Sequence, residues 1–195
     1  MVRTITLGLA LLFVGIVPSS AAQGSSAWKQ VQAGYKTWRS TLSSLRSEWK
    51  RHHSGDVARR GKADVNADGV RETIETQFSS EEGDVDILRL RVYHPKLGLV
   101  LSASVSDLGA FFFADVDPNH KGQELIVADY TVNPSEDSGG LPEGDPSRYD
   151  IAVWGWDGSA GKYVQLRRYT TERSYGLHTD HLPLFREALS QMGYM

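Results

Sequence analysis

Two aspartate-rich segments of similar layout constrain the fold of this chain more than any other feature. The first runs from Asp64 to Glu72, and the second begins at Asp115, 51 residues later. Each leads into a segment with the pattern of a β-strand. A spacing of this size fits an internal repeat of one four-stranded unit. We therefore predict a mainly β domain that contains two similar units.

The first segment has the residue types of a calcium-binding loop. Calcium is a hard cation that takes oxygen ligands, so a short loop must curl to direct several oxygen atoms inward. Gly69 allows the sharp turn, and the carbonyl of Val70 can add a backbone oxygen. A purely oxygen-bearing set disfavours zinc and copper. The side-chain candidates stand at positions one, three, five and nine of the segment: Asp64, Asn66, Asp68 and Glu72.

An EF-hand begins with the same spacing and is an alternative for this segment. It needs helices on both sides and a bidentate glutamate at its twelfth position, where Glu75 stands. However, Arg71 occupies the position that is apolar in an EF-hand, and residues 72–78 alternate like a strand. We favour a nine-residue loop closed by Glu72. A polar turn that holds no metal is the other alternative.

The second segment repeats the spacing in a longer form. Asp115, Asp117 and Asn119 match positions one, three and five, but Gly122 and the closing Glu124 come later. The segment is therefore a variant with an inserted residue. We treat these three residues and Glu124 as a second candidate calcium site.

A long amphipathic helix is predicted from Ala27 to His53. Apolar residues recur there at spacings of three and four, which is the period of one helix face. We expect this stripe to pack on the core of the domain, and a docking helix or a two-helix coiled coil is the alternative. The stripe consists of Trp28, Val31, Tyr35, Trp38, Leu42, Leu45 and Trp49.

The following region predicts about eight strands, in agreement with two four-stranded units. Alternating or continuous apolar runs carry the prediction, and in one of them Leu97, Leu99 and Leu101 are expected on the same face. An acid-rich link from Asn133 to Ser147 interrupts the strands, and a short C-terminal helix is predicted from His181 to Met192. The strands cover 70–78, 87–93, 97–105, 110–114, 125–128, 151–156 and 163–168, with a short one before Asp64.

The N-terminal residues have the layout of a secretory signal peptide. Arg3 gives a basic start, an apolar run extends from Leu7 to Val17, and Ser20-Ala21-Ala22 supplies small residues for cleavage. The run is shorter than the roughly 20 apolar residues of a membrane-spanning helix. We expect a secreted or periplasmic protein without a transmembrane segment once the signal is removed. The predicted regions are a signal peptide (1–22), an amphipathic helix (23–56) and a β-rich calcium-binding domain with a C-terminal helix (57–195).

Composition narrows the possible functions. The chain has no cysteine, which excludes a disulfide framework and a thiol enzyme. Its formal net charge of −3 gives no reason to expect nucleic acid or an anionic membrane as a partner. Nucleophile-elbow, phosphate-loop and zinc-protease motifs do not occur.

Both aspartate-rich segments resemble the calcium loops of FG-GAP/VCBS-type β-propeller repeats, as in integrin α-chain propellers. Asp64, Asn66, Asp68 and Glu72 match the ligand positions of that family directly, and Asp115, Asp117, Asn119 and Glu124 match if the insertion is allowed for. The segment 151–158 with Lys162-Tyr163 is similar to a strand-turn-strand of such blades. The resemblance implies that the two loops bind calcium and that the strands form propeller-like blades. A closed propeller usually needs four to eight blades, and this chain has sequence for about two.

These observations favour an exported module that binds a protein or a glycan and in which calcium is structural. One alternative is a periplasmic inhibitor or immunity protein of a cell-wall hydrolase, with the acid-rich link as its inserting element. Another is a glycan hydrolase or lyase, although no spacing identifies a catalytic carboxylate pair. Exposed sheet edges are open to pairing, so either the two helices cap the edges of a partial propeller or several copies of the chain assemble.

Overall fold

The computed structural model describes residues 20–52, 57–79, 87–106, 108–131, 146–176 and 180–195. This part of the chain is mainly β, with a long helix at the N-terminal side and a short helix at the C-terminal side. The elements are α1 (Ser20–His52), β1 (Val57–Ala63), β2 (Glu72–Ser79), β3 (Ile87–His94), β4 (Gly98–Ser106), β5 (Ala110–Ala114), β6 (Glu124–Thr131), β7 (Pro146–Asp157), β8 (Lys162–Thr170), β9 (Tyr175–Gly176) and α2 (Leu182–Gln191).

The strands form two antiparallel sheets of the same topology. In one sheet β1, β2, β3 and β4 are neighbours in chain order, and in the other β5, β6, β7 and β8 are. The two-residue strand β9 pairs with the start of β7. Each aspartate-rich segment joins the first and second strands of its sheet. The structure thus confirms eight antiparallel strands in two four-stranded units, and the described strands do not close into a ring.

The strand pattern agrees with the prediction except at one hairpin. In β3 the apolar Leu88, Leu90 and Val92 are buried, as the alternation requires. In the partner segment Leu97 and Leu99 are predicted to face the core with Leu101, but each is 54% exposed. The structure places Leu97 in the turn before β4 and Leu99 on the outer face of the sheet. The reason is a register shift: Val92 pairs with Leu101 while Tyr93 pairs with Leu99, so a bulge there turns Leu99 to the outer face.

The aromatic stripe of α1 packs on the core of the same domain, as expected. Trp38 is buried with its ring centroid 4.3 Å from that of Phe111, and Tyr35 lies against Phe112. Gly34 permits this close approach, because a Cβ atom there would lie 2.6 Å from the carbonyl oxygen of Phe113. The docking-helix alternative is not supported by the centre of the stripe, where Val31, Tyr35, Trp38 and Leu45 are buried in this core. Trp28, Leu42 and Trp49 are partly buried against it.

The C-terminal helix closes the same core. Leu184, Phe185, Ala188 and Leu189 are fully buried, and the ring of Phe185 meets that of Phe112 edge-on at 5.1 Å. Within the described part of the chain, neither helix combines the length and apolar character needed to cross a membrane.

The connections that carry the aspartate-rich segments lie at a common end of the molecule. In an antiparallel meander the first and third connections emerge at the same end of the sheet. The first segment therefore lies beside the β3–β4 turn, and the second lies beside the β7–β8 turn. We call this region the loop end. Of the predicted acid-rich link, only Pro146 and Ser147 are described, and they begin β7 instead of belonging to a loop.

Candidate metal centre

The first loop has the curled backbone that calcium coordination requires. Ala67 and Gly69 have φ angles of 55° and 88°, and these left-handed conformations reverse the chain within a few residues. The Asp64 carboxylate accepts the N–H groups of Asp68 at 3.1 Å and Gly69 at 3.0 Å. The N–H of Val70 donates to Asp68 Oδ1 at 2.7 Å. Each carboxylate oxygen has two lone pairs, so these bonds leave acceptor capacity for a cation.

Glu72 closes this loop from the interior. Its side chain is fully buried, and Oε2 accepts the N–H of Val65 at 3.0 Å. Oε1 is also buried, but it has no hydrogen-bond partner among the described residues. Burial raises the pKa of Glu72, the hydrogen bond from Val65 opposes this shift, and the charges of Asp68 and Asp64 add to it. A buried, charged carboxylate with one oxygen that lacks a hydrogen bond lowers the stability of the folded protein unless a cation compensates its charge.

The second loop repeats this arrangement around Glu124. The side chain is fully buried, and Oε2 accepts the N–H groups of Val116 at 2.9 Å and Asp117 at 3.3 Å. Oε1 again has no hydrogen-bond partner in the described part of the chain. His120 Nδ1 lies 3.2 Å from it, but the contact is not aligned as a hydrogen bond. Burial is the main cause of the raised pKa of Glu124.

The other predicted ligands make more contacts with one another in the first loop than in the second. Asn66 is buried, and its side chain bonds to the N–H and the carboxylate of Asp68. In the second loop Asp117 Oδ1 accepts the N–H of Asn119 at 2.9 Å, while Asp115 is exposed. The first loop is therefore the more compact of the two candidate sites.

The two loops contact each other directly. The N–H of Gln123 donates to the carbonyl of Val65 at 2.7 Å. Gly122 has a φ of 96°, and a Cβ atom there would lie 2.8 Å from the backbone of Asn66. Tyr163 lies beneath both loops, where its hydroxyl donates to the carbonyl of Gln123 at 3.4 Å. Burial and then the charges of Glu72 and Glu124 raise its pKa.

Sequence reasoning missed His94, which lies at the first loop. Asp68, Glu72 and His94 each place one ligand-type atom within 4.8 Å of the others, and no other described group of three does so. His94 Nε2 lies 3.2 Å from Asp68 Oδ2. Only the strand register brings His94 here, since it is 26 residues from Asp68.

The hydrogen bonds of His94 decide how it can act. Its Nδ1 atom accepts the N–H groups of Lys96 and Leu97, both at 3.2 Å. A neutral imidazole carries one proton, so this proton is on Nε2 and is donated to Asp68. His94 in this tautomer orients Asp68 and does not offer a lone pair to the metal. The ligand set is then made of oxygen atoms, which fits calcium better than zinc.

Comparison with known proteins returns no matching family model, no matching curated protein and no matching solved structure. The resemblance to FG-GAP/VCBS repeats therefore rests on the loop residues themselves.

Proposed function

We propose that the protein is an exported calcium-binding β-domain that acts as a binding module for a protein or a glycan, with two structural calcium ions at the loop end. The observation that carries the proposal is the pair of buried glutamates, Glu72 and Glu124. Each uses one oxygen to hold the backbone of its loop and leaves the other without a hydrogen bond. Calcium beside these oxygens would compensate two buried charges and stabilise the folded state by linkage.

The same ions would stabilise the junction of the two sheets. The backbone bond between Gln123 and Val65 makes each loop a neighbour of the other, so ordering one loop supports its partner. We propose that the two sheets are blade-like units of a partial propeller. Helix α1 supports this view because it packs along the edge strand β5, where Trp38 meets Phe111.

A groove at the helical side offers a surface for the partner. It has a volume of about 650 Å³ and lies between the start of α1, the end of the β8–β9 connection and α2. Trp28 and Tyr175 supply aromatic surface, while Arg173 and Glu172 supply polar groups. This mixture suits a glycan or a polar protein segment better than an apolar ligand.

The lowered pKa of Glu187, a carboxylate of this groove, favours binding over hydrolysis. A glycosidase needs a carboxylic acid whose pKa is raised so that it can protonate the leaving group. Burial raises the pKa of Glu187, but hydrogen bonds from Tyr175, Glu172 and Tyr169 outweigh burial and lower it. The described carboxylates with raised pKa values are Glu72 and Glu124, which face the loop end.

Thermal unfolding tests the calcium proposal. We would compare the chain from Gln23 onward in chelator and in millimolar calcium, together with an Asp64→Ala, Asp68→Ala double variant. Calcium should raise the melting temperature of the wild type, and the shift should be smaller in the variant because one of two sites is lost. A wild type that melts at the same temperature in both solutions would exclude structural calcium.

A further inference from the structure

The β3–β4 turn presents apolar side chains to solvent directly beside the first calcium loop. Leu97 and Leu99 are each 54% exposed, and they are the exposed large apolar residues of the described chain. Leu99 shares a row of the outer sheet face with Tyr93, Thr73 and Lys62. Only the pair of Ala63 and Glu72 separates this row from the loop along β1 and β2.

The sheet face that carries Leu99 is basic although the chain as a whole is acidic. The outer face of the β1–β4 sheet carries Arg60, Lys62, Arg89 and Arg91, because their positions alternate with those of the core residues. Glu75 is the acid of this face in the described residues, and Arg60 and Arg91 both pair with it. Lys96 is exposed in the turn itself. The β1–β4 sheet therefore has a basic outer face although the net charge of the chain is −3.

We propose that calcium binding docks the loop end on an anionic lipid membrane, with Leu97 and Leu99 entering the lipid interface and the basic face lying against the headgroups. The inference rests on the calcium sites of the proposed function and adds a partner to them. Apolar insertion and attraction of Lys and Arg to anionic lipids act together in interfacial binding.

Calcium controls this docking through the charge of the loop end. Without calcium, Asp64, Asp68, Asp115 and Asp117 place carboxylates at the same end as the leucines, and these repel an anionic surface. Each calcium ion adds two positive charges at that end. Binding therefore reduces the repulsion, so that the neighbouring cations, among them Lys62 and Lys96, can attract the headgroups.

His94 links the calcium loop to the leucine turn mechanically. Its ring accepts the N–H groups of Lys96 and Leu97 on one side and contacts Asp68 on the other. The ring is buried and stacked against Trp156, with centroids 6.5 Å apart. An Asp68 carboxylate fixed by calcium consequently also fixes the turn that presents Leu97.

The small size of the apolar patch favours a membrane over a protein partner. A stable protein interface buries about 800 Å² on each side around a central cluster of large anchors. Two leucines at a turn are too few for such a cluster, whereas a few apolar side chains are sufficient when charge attraction contributes. The groove proposed above for a protein or glycan lies at the helices and remains open in this arrangement.

Sedimentation with lipid vesicles tests the proposal. The chain from Gln23 onward retains the described core, whose first buried side chain is Ala27, and its melting curve verifies folding. It would be mixed with vesicles of phosphatidylcholine alone or with added phosphatidylglycerol, in chelator and in calcium. We expect binding to the vesicles that contain phosphatidylglycerol in calcium, and weak binding in the other three mixtures.

Two matched pairs of proteins identify the surface. A Leu97→Ser, Leu99→Ser variant should bind at least roughly tenfold more weakly than wild type, because two apolar side chains no longer enter the interface. Lys96→Glu should also weaken binding. Lys50→Glu should not, since Lys50 is exposed at the end of α1 whose Trp49 packs on Phe78, far from the loop end.

The possible outcomes separate this inference from the proposed function. A melting temperature raised by calcium without calcium-dependent vesicle binding would overturn the membrane inference and leave the calcium sites intact. Binding that the leucine variant retains in full, or binding to a soluble anionic polysaccharide of equal strength, would also overturn it. A melting temperature that calcium does not change would instead refute the calcium sites themselves.

Discussion

At the scale of single residues, the ligand positions of the first loop could be predicted from the sequence, but the histidine that contacts Asp68 could not. Asp64, Asn66, Asp68 and Glu72 follow a spacing that can be read along the chain. The structure confirms that they form one curled loop, while the ion that they bind remains a prediction. His94 carries no local signal, because its contact with Asp68 depends on how β3 lies beside β2.

Gly122 provides a prediction for the contact between the loops. Gly122→Ala should lower the free energy of unfolding by about 2–3 kcal/mol, because a Cβ atom would both disfavour the positive φ and lie 2.8 Å from Asn66. Gly69→Ala is the matched control. It has a similar φ of 88° but no neighbour within 4 Å, so it should cost about 1 kcal/mol. Equal losses in urea unfolding would mean that the loops do not depend on each other.

Glu187 provides a prediction for pH. Its carboxylate accepts the hydroxyls of Tyr169 and Tyr175 and the N–H of Glu172, and the net result is a lowered pKa. A group with a lowered pKa in the folded state stabilises the protein above its unfolded pKa, and this is lost as the pH falls through the folded value.

Glu187→Gln should therefore cost about 1 kcal/mol at pH 7, a figure reduced for solvent screening. The difference from wild type should shrink as the pH falls below about 4, as measured by urea unfolding at several pH values. Glu172→Gln, in the same groove but exposed, should change the free energy of unfolding at pH 7 by less than about 0.5 kcal/mol. A difference that is independent of pH would assign the role of Glu187 to packing.

At the scale of elements, periodicity predicted the helices and nearly all strands. It was wrong at the β3–β4 hairpin, because the alternation of Leu97, Leu99 and Leu101 contains no sign of the bulge that turns Leu99 outward. It also missed β9, which has two residues and exists only through its pairing with β7. Both errors concern contacts between strands, which a pattern along one strand does not encode.

Trp38 tests the role assigned to α1. The ring is buried against Phe111, so Trp38→Ala should reduce the free energy of unfolding by about 3–5 kcal/mol. Lys36→Ala, at an exposed position of the same helix, should change it by less than about 0.5 kcal/mol. A well-folded Trp38→Ala protein that has merely lost the ability to form dimers would contradict the packing and restore the docking-helix interpretation.

At the scale of the whole molecule, the internal repeat was the most informative sequence feature. The spacing of the two loops predicted two four-stranded units, and the sheets have that topology. The sequence could not show that both loops meet at one end and share a backbone hydrogen bond. Because the loops contact each other, the two motifs together form one candidate metal centre.

Calorimetric titration with calcium tests this account most directly, because it counts the ions. The wild type should bind two, whereas Glu72→Gln and Glu124→Gln should each retain one, since each variant removes the buried carboxylate of a single loop. Thermal melting in chelator would verify that both variants fold. Absence of calcium binding by the wild type, or two ions still bound by either variant, would contradict the account.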